Sequence, residues 1–149
     1  MENTFWLSNE EFNYIYGTVQ RLAVDVVIRK DNGIILVKRA IEPYLNYWHL
    51  PGGTIYKGET VKDAAIRIAK NETGLDVNFV GSLGYMEFLK EDRDRVHTHT
   101  ISIAVEVIAK EGAFMLDKNA SDIKVISELS ISPLVTEHLD FLQKHKLLK

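Results

Sequence analysis

A proline and two glycines interrupt this chain about a third of the way along it, at Pro51-Gly52-Gly53. Proline fixes its φ angle and glycine adopts conformations that are closed to other residues, so no regular element continues through this turn. Because two side chains are missing, the backbone is open to a ligand here. We therefore expect a backbone-lined pocket at this turn, with the rest of the chain as its scaffold.

The segment after the turn predicts a helix that ends at Thr73-Gly74. Thr60 and Asp63 have the spacing of an N-cap and its partner, and Gly74 supplies the C-terminal stop. One apolar stripe recurs at helical spacing and comprises Val61, Ala64, Ala65, Ile68 and Ala69. Glu72 projects onto this stripe, where a carboxylate is costly unless it is paired or holds a metal. Glu72 is therefore either a frayed residue of the last turn or a functional acid.

Five residues of this stretch have the spacing G-x5-E-x7-R followed by a glycine and an apolar residue: Gly53, Glu59, Arg67, Gly74 and Leu75. This spacing resembles the Nudix box of the Nudix hydrolases. The resemblance implies an α/β/α sandwich with a mixed, curved β-sheet, formed by residues 1–149 as a single domain. It also implies that the first four of these residues support the loop and helix of the box.

Two of the three clustered glutamates of the family are replaced here, by Ile68 and Asn71, and Glu72 is retained. In typical members these glutamates hold Mg²⁺ or Mn²⁺. The retained pattern is similar to that of the GDP-mannose mannosyl hydrolase branch. In that branch water attacks the anomeric carbon of the sugar and a nucleoside diphosphate leaves, so the metal only has to neutralise phosphate charge.

The resemblance to this branch implies a role for each matching position. The carbonyl of Gly52, the carboxylate of Glu72 and Asn119 would hold one Mg²⁺ or Mn²⁺. Arg39 would stabilise the leaving diphosphate, with Asp25 beside it. Asp25 lies within an apolar strand pattern, so a buried ion pair to Arg39 is an equally good interpretation of this acid.

This chain departs from the branch at two positions, one that bears on the base that activates water and one that bears on a sugar nucleotide as the substrate. The branch carries a histidine base where this chain has Ala120, and an arginine directly after the two glycines where this chain has Thr54. His99, or His97 on the same strand face, is our candidate for water activation, because imidazole titrates near neutrality. His49 is a rival candidate, and a purely structural role for the strand histidines is the alternative.

Two tyrosines precede the turn in a loop, Tyr44 and Tyr47, and are candidates to stack on the substrate or to cover the core. Trp48 is interpreted as a core residue. Glu87 either adds a metal ligand or faces water. The charged segment Glu91-Asp92-Arg93-Asp94-Arg95 is either a loop that closes over substrate or a solvated hairpin tip.

The remaining elements follow from periodicity and capping signals. A capping box at Ser8 predicts a helix over 9–16, ended by Gly17, and Asn32-Gly33 predicts a hairpin between two strands. Ser132-Pro133 predicts a C-terminal helix over 133–146, whose histidines we interpret as packing or surface residues. The other predicted strands cover 76–81, 82–90, 97–109 and 122–126.

The composition excludes several classes of function. The net charge is −3 and the pI about 5.9, so we expect neither nucleic acid nor a membrane as a partner. The chain has no cysteine, no long apolar run and no signal-peptide pattern, and we expect a cytoplasmic protein with a small nucleotide-derived substrate and a possible homodimer. The alternative function is a Nudix domain that binds a nucleotide or a protein without turnover.

Overall fold

The computed structural model describes residues 7–42, 44–89 and 99–148. Within these ranges three helices accompany a seven-stranded sheet. The helices are α1 (Asn9–Thr18), α2 (Val61–Thr73) and α3 (Thr136–Lys144). The strands are β1 (Arg21–Lys30), β2 (Gly33–Arg39), β3 (Trp48–His49), β4 (Gly52–Thr54), β5 (Val77–Phe88), β6 (Thr100–Ala109) and β7 (Ala120–Ile126).

The sheet is mixed and its centre is β1. The strand order is β3-β2-β1-β6-β5, with β4 paired to β1 and β7 paired to β2. β1 and β6 are parallel, and the other pairs are antiparallel. The predicted mixed sheet is confirmed.

Both faces of β1 are buried, as its nearly continuous apolar sequence requires. Val24, Val26 and Ile28 pack in one cluster with the apolar stripe of α2. Val27 faces the opposite cluster, which contains Phe141 and Leu142 of α3. A helix therefore covers each face of the sheet, which confirms the α/β/α sandwich.

Capping and turn residues in the sequence correctly predicted the start of helix α1 and the hairpin between β1 and β2. The predicted hairpin between β1 and β2 is confirmed, but the φ angles of 48° and 63° that turn the chain belong to Asp31 and Asn32 rather than to Asn32 and Gly33. The capping box at Ser8 is present, with Ser8 Oγ accepting from the N–H of Glu11 at 3.1 Å. Helix α1 continues through Gly17 to Thr18, so the predicted end was wrong by one half-turn.

Two element predictions were wrong because distant partners decide the backbone. The strands predicted over 76–81 and 82–90 are one strand, β5, which keeps its pairing with β6 through two register irregularities near Gly81 and Gly84. Helix α3 begins at Thr136 rather than at Pro133. The N–H of Trp48 donates to the carbonyl of Pro133 at 2.8 Å, and the N–H of Val135 donates to the carbonyl of Trp48 at 3.0 Å, which keeps this segment extended.

Some predictions fall partly outside the described ranges. His97 and the charged segment 91–95 lie there, and the described part of the 97–109 strand is β6. Among the helices in the described ranges, none is long and apolar enough to cross a membrane.

Candidate functional site

The turn and helix of the predicted box are linked by Glu72. Thr60 caps α2 by accepting from the N–H of Asp63 at 3.0 Å, and Gly74 ends the helix with a φ angle of 79°. At the C-terminal end of the helix, Glu72 Oε2 accepts from the N–H of Gly52 at 2.8 Å. Glu72 therefore does not fray into solvent but faces the glycine turn.

The loop between the turn and α2 is held by a bidentate ion pair. Arg67 donates from Nε and Nη2 to the two carboxylate oxygens of Glu59, at 2.7 and 3.0 Å, and from Nη2 to the carbonyl of Thr54 at 2.9 Å. The guanidinium also stacks on the ring of Tyr56 at 3.8 Å. Burial would raise the pKa of the Glu59 carboxyl, but the hydrogen bonds from Arg67 and the N–H of Tyr56 outweigh it and lower that pKa. Glu59 and Arg67 are thus occupied with each other and fix the loop.

Glu72 has the opposite electrostatic environment. Burial raises the pKa of its carboxyl to about 8, and the nearby Asp117 and Asp25 add to this effect. The hydrogen bond from Gly52 and the charge of Arg39 act in the other direction without cancelling the shift. Since burial disfavours the charged form, a cation beside Glu72 would stabilise its carboxylate.

Asp25 projects from β1 against the glycine turn and is almost fully buried. Ser102 Oγ donates to its Oδ2 at 2.6 Å, and His138 Nε2 lies 3.3 Å from its Oδ1. Burial would raise the pKa of the Asp25 carboxyl, but His138 and Ser102 outweigh it and lower that pKa. A Cβ on Gly52 would lie 2.2 Å from Asp25 Oδ1, so only glycine fits at this position.

The backbone of Leu50 assigns opposite tautomers to two histidines. Its N–H donates to His138 Nδ1 at 3.0 Å, so the proton of His138 is on Nε2, which faces Asp25. Its carbonyl lies 2.7 Å from His49 Nδ1 and can only accept, so His49 carries its proton on Nδ1 and keeps a lone pair on Nε2. Burial lowers the pKa of His49 to about 3, with a further contribution from His138, and the ring is neutral at ordinary pH.

These groups line one cavity of about 690 Å³, a volume typical of small-molecule sites. Six of the residues predicted for catalysis, metal or substrate lie in its wall: Asp25, Arg39, Tyr44, Gly52, Glu72 and Asn119. The supporting residues Gly53 and Arg67 also reach it. Trp48 is buried as predicted, and Lys38, the residue before Arg39, lies over its ring and outside the cavity wall.

Three candidates are not brought to this cavity. His99 directly precedes β6 and lies outside the cavity wall, and its carbonyl accepts from the N–H of Arg21 at 3.0 Å. Tyr47 contacts the ring of Tyr44 edge-on at a centroid distance of 5.6 Å, but only Tyr44 reaches the wall. Glu87 is exposed on β5 and faces water.

The wall residues that were assigned no function from the sequence include Arg21, Asp117, Lys118 and His138. Arg21 is separated from Asp25 by an even number of strand positions, and this period-two relation could have found it. His138 lay on the predicted inner stripe of the last helix, where it was interpreted as packing or surface. Its contacts with Leu50 and Asp25 join segments far apart in the chain, and no local pattern signals them.

The loop that carries Asp117 and Asn119 is held by a backbone hydrogen bond at each end. The N–H of Met115 donates to the carbonyl of Thr73, and the N–H of Ala40 donates to the carbonyl of Asn119, both at 2.9 Å. A Cβ on Gly74 would lie 2.8 Å from the Cβ of Met115, so this close approach also requires glycine. The loop is therefore held against the C-terminal end of α2, beside Glu72.

The residues around Glu72 fit one divalent cation. In the parts of the chain that the structure describes, no group of three or more His, Cys, Asp or Glu side chains is placed to hold a metal. Glu72 and Asp117 are two acids whose repulsion a cation would relieve, and Gly52 and Asn119 add oxygen donors to the same wall. Hard cations take such oxygens together with water and phosphate. The donor set suits a single Mg²⁺ or Mn²⁺ and not a cluster of ions.

The fold and the site together define a class. A mixed sheet between helices, with a glycine turn, an ion-paired loop and a helix that returns a glutamate to the turn, is the architecture expected of a Nudix-type hydrolase. Residues 19–144 match the sequence model of the NUDIX domain, and the chain belongs to this family.

Two curated relatives are similar over different lengths. The low-salt glycan biosynthesis protein Agl8 of Haloferax volcanii is 33% identical over 91% of this chain and 90% of its own length. The ADP-ribose pyrophosphatase of Methanocaldococcus jannaschii is 42% identical over 60% of this chain and 53% of its own length.

Solved structures share the fold. A MutT NUDIX hydrolase from Burkholderia pseudomallei superposes with a TM-score of 0.74 at 20% identity, over 84% of this chain and 97% of that one. The NUDIX domain of Shewanella oneidensis NrtR, crystallised with ADP ribose, superposes with a TM-score of 0.70 at 21% identity, over 98% of this chain and 96% of that one.

Proposed function

We propose that this protein is a divalent-metal-dependent hydrolase of a nucleoside diphosphate linked to another moiety, with a nucleotide sugar such as GDP-mannose as the preferred substrate class. The observation that carries the proposal is the half-buried carboxylate of Glu72, which accepts from the N–H of Gly52 at 2.8 Å at the glycine turn, in a cavity that Arg39 also lines. The relatives named for ADP-ribose hydrolysis and for glycan biosynthesis are compatible with such substrates.

In this proposal Glu72, the carbonyl of Gly52 and Asn119 hold the metal, with Asp117 as an additional acid. A bound Mg²⁺ or Mn²⁺ would neutralise phosphate charge. Arg39 stabilises the leaving diphosphate through charge-assisted hydrogen bonds. Asp25, fixed by Ser102 and His138, lies beside the glycine turn and keeps the site negatively charged for the cation.

The water-activating group in this proposal is His49 rather than His99. His49 lies in the cavity wall and has its acceptor lone pair on Nε2, whereas His99 does not reach the wall. A pKa of about 3 makes His49 a weak base in the isolated protein. The negative charge of a bound diphosphate would raise that pKa and make His49 a stronger proton acceptor.

The test is ³¹P NMR of the protein with Mg²⁺ or Mn²⁺ and GDP-mannose, ADP-ribose or nucleoside triphosphates. We expect a nucleotide sugar to release a nucleoside diphosphate, which indicates attack at the sugar carbon. Release of a nucleoside monophosphate would indicate attack at phosphorus and would contradict the nucleotide-sugar mechanism. Binding without turnover would support the alternative of a non-catalytic domain. The cytoplasmic location expected from the sequence and the possibility of a homodimer stay predictions.

A further inference from the structure

His138 is a buried polar side chain in the wall of the cavity. The extended segment 133–135 lies along Trp48 through two backbone hydrogen bonds, and α3 begins directly after it. His138 is therefore in the first turn of α3, and its ring reaches Leu50, two residues beyond Trp48, at 3.0 Å. Because the side chain is only 4% exposed, its ring nitrogens need partners within the protein.

Two backbone N–H groups at the glycine turn donate to side chains. Leu50 donates to Nδ1 of His138 at 3.0 Å, and Gly52 donates to Oε2 of Glu72 at 2.8 Å. Pro51, which lies between them, has no N–H. His138 belongs to α3 and Glu72 to α2, the helices that cover opposite faces of the sheet. The turn is therefore held from both faces, once by each helix.

His138 also reaches the turn through Asp25. Its Nε2 lies 3.3 Å from Asp25 Oδ1. Asp25 pairs with Gly52 across β1 and β4, and a Cβ on Gly52 would collide with this same carboxylate oxygen. One ring thus connects the backbone before the turn to the side chain that packs against Gly52. Because the N–H of Leu50 is a donor and the carboxylate is an acceptor, the neutral ring with its proton on Nε2 satisfies both contacts.

We propose that His138 is a positioning residue of the glycine turn: its contact with Leu50 holds the turn so that the N–H of Gly52 meets Glu72 and the carbonyl of Gly52 serves the metal site. This role rests on the proposed function for the chemistry of the metal. Residues that hold a metal ligand in place contribute to affinity, and their loss typically weakens metal binding by about 10- to 100-fold. A backbone ligand depends in the same way on the groups that hold its neighbours in the chain.

Two amide side chains separate the contacts of the ring. In His138→Asn the oxygen on Cγ takes the place of Nδ1, so the acceptor for Leu50 is kept and the donor to Asp25 is lost. In His138→Gln the amide nitrogen takes the place of Nε2, so the donor to Asp25 is kept and the acceptor for Leu50 is lost. His145→Gln is the matched control, because His145 is the C-cap of the same helix, stacks on Phe141 and is not part of the cavity wall.

The experiment measures two quantities. One is the dissociation constant of Mg²⁺ by isothermal titration calorimetry. The other is the rate of hydrogen exchange at the Gly52 amide in the metal-free protein, taken by NMR relative to the amide of Val105 in the core. We expect His138→Gln to weaken Mg²⁺ binding about tenfold or more and to speed exchange at Gly52. His138→Asn and His145→Gln should resemble the wild type in both quantities.

Near-ultraviolet circular dichroism verifies that each variant is folded. Wild-type values in His138→Gln, a loss in His138→Asn as large as that in His138→Gln, or an equal loss in His145→Gln would each overturn the proposal. Failure of His138→Gln to fold would overturn it as well, because the contact with Leu50 would then be needed for the whole fold rather than for the turn.

The two quantities also separate this role from the proposed function. If the wild type binds no Mg²⁺, the metal site of the proposed function fails, and the exchange rate at Gly52 alone decides the role of His138. If Mg²⁺ binds but no compound of the NMR panel is hydrolysed, the proposed chemistry fails, and both quantities still decide whether His138 positions the turn.

Discussion

Two glutamates, Glu59 just before helix α2 and Glu72 in its last turn, lie in opposite environments. Glu59 accepts hydrogen bonds from Nε and Nη2 of Arg67, and these bonds lower the pKa of its carboxyl against the effect of burial. Glu72 accepts from a backbone N–H with other acids nearby, and burial raises its pKa to about 8. The fold itself satisfies the charge of Glu59, whereas burial disfavours the charge of Glu72. In the proposed function this difference separates a structural acid, Glu59, from the proposed metal ligand, Glu72.

The largest effect should come from Glu72→Gln. Because the variant loses the carboxylate proposed to hold the metal, we expect turnover to fall by about 100-fold or more. The increase in Tm that Mg²⁺ gives the wild type should also disappear, since a ligand stabilises only the state that binds it. Thermal unfolding with and without Mg²⁺ measures this, and an equal metal-dependent increase in the variant would show that Glu72 is not a ligand.

Glu59→Gln should act on stability instead. The side chains of Glu59 and Arg67 are 14% and 20% exposed, so solvent screens the pair only in part, and we expect the free energy of unfolding to fall by about 2 kcal/mol. The Mg²⁺-dependent rise in Tm should persist. Denaturant unfolding monitored by circular dichroism gives the first quantity. Unchanged stability together with a lost Mg²⁺ response would reverse the roles assigned to the two glutamates.

Signals within a few residues of one another predicted much of the fold. The cap at Thr60, the stop at Gly74 and the turn at Asn32 each depend on neighbouring backbone groups, and each was placed correctly. The start of α3 was not, because Trp48 holds Val135 in an extended conformation through a contact that no local pattern encodes.

For the candidate site, as for the fold, the sequence predicted some of the residues and missed others. Positions carried by the motif, such as Gly52 and Glu72, line one cavity, and Asp25 was found as an acid in an apolar strand. His138 was not found, because its contact with Asp25 joins the first strand to the last helix. His99 was placed by strand alternation alone, which gives the face of a strand but not the distance from the cavity.

The pH dependence of the stability of the metal-free protein gives a further test of the difference between Glu72 and Glu59. The folded-state pKa of Glu72, about 8, exceeds its ordinary value of 4.5, so the folded protein binds more protons and loses stability as the pH rises through this interval. His49, lowered from 6.5 to about 3, has the opposite effect up to pH 6.5. Between pH 6.5 and 8, therefore, His49 does not offset the decrease in the free energy of unfolding that Glu72 causes as the pH rises.

In that window the wild type should lose stability by at most about 1.4 kcal/mol per pH unit relative to Glu72→Gln. Chemical unfolding of both proteins in EDTA at several pH values measures the difference. Parallel pH profiles for the two proteins would mean that Glu72 is ionised in the folded state without a metal, and the electrostatic contrast with Glu59 would be lost.

The smallest effect should come from Thr60→Ala, at the end of α2 that adjoins Glu59. The variant removes the hydroxyl that accepts from the N–H of Asp63 at 3.0 Å, and loss of such a cap costs about 1 kcal/mol. Thr60→Ser keeps the acceptor and should retain most of this stability in denaturant unfolding. Since Glu72 follows the N-cap Thr60 along α2 and each helical residue rises by about 1.5 Å, the cap lies about 18 Å from Glu72. In Thr60→Ala we expect no change in the Mg²⁺-dependent rise in Tm or in the pH dependence of the free energy of unfolding. A change in either quantity would mean that the loss of the cap affects the proposed metal site at the other end of the helix.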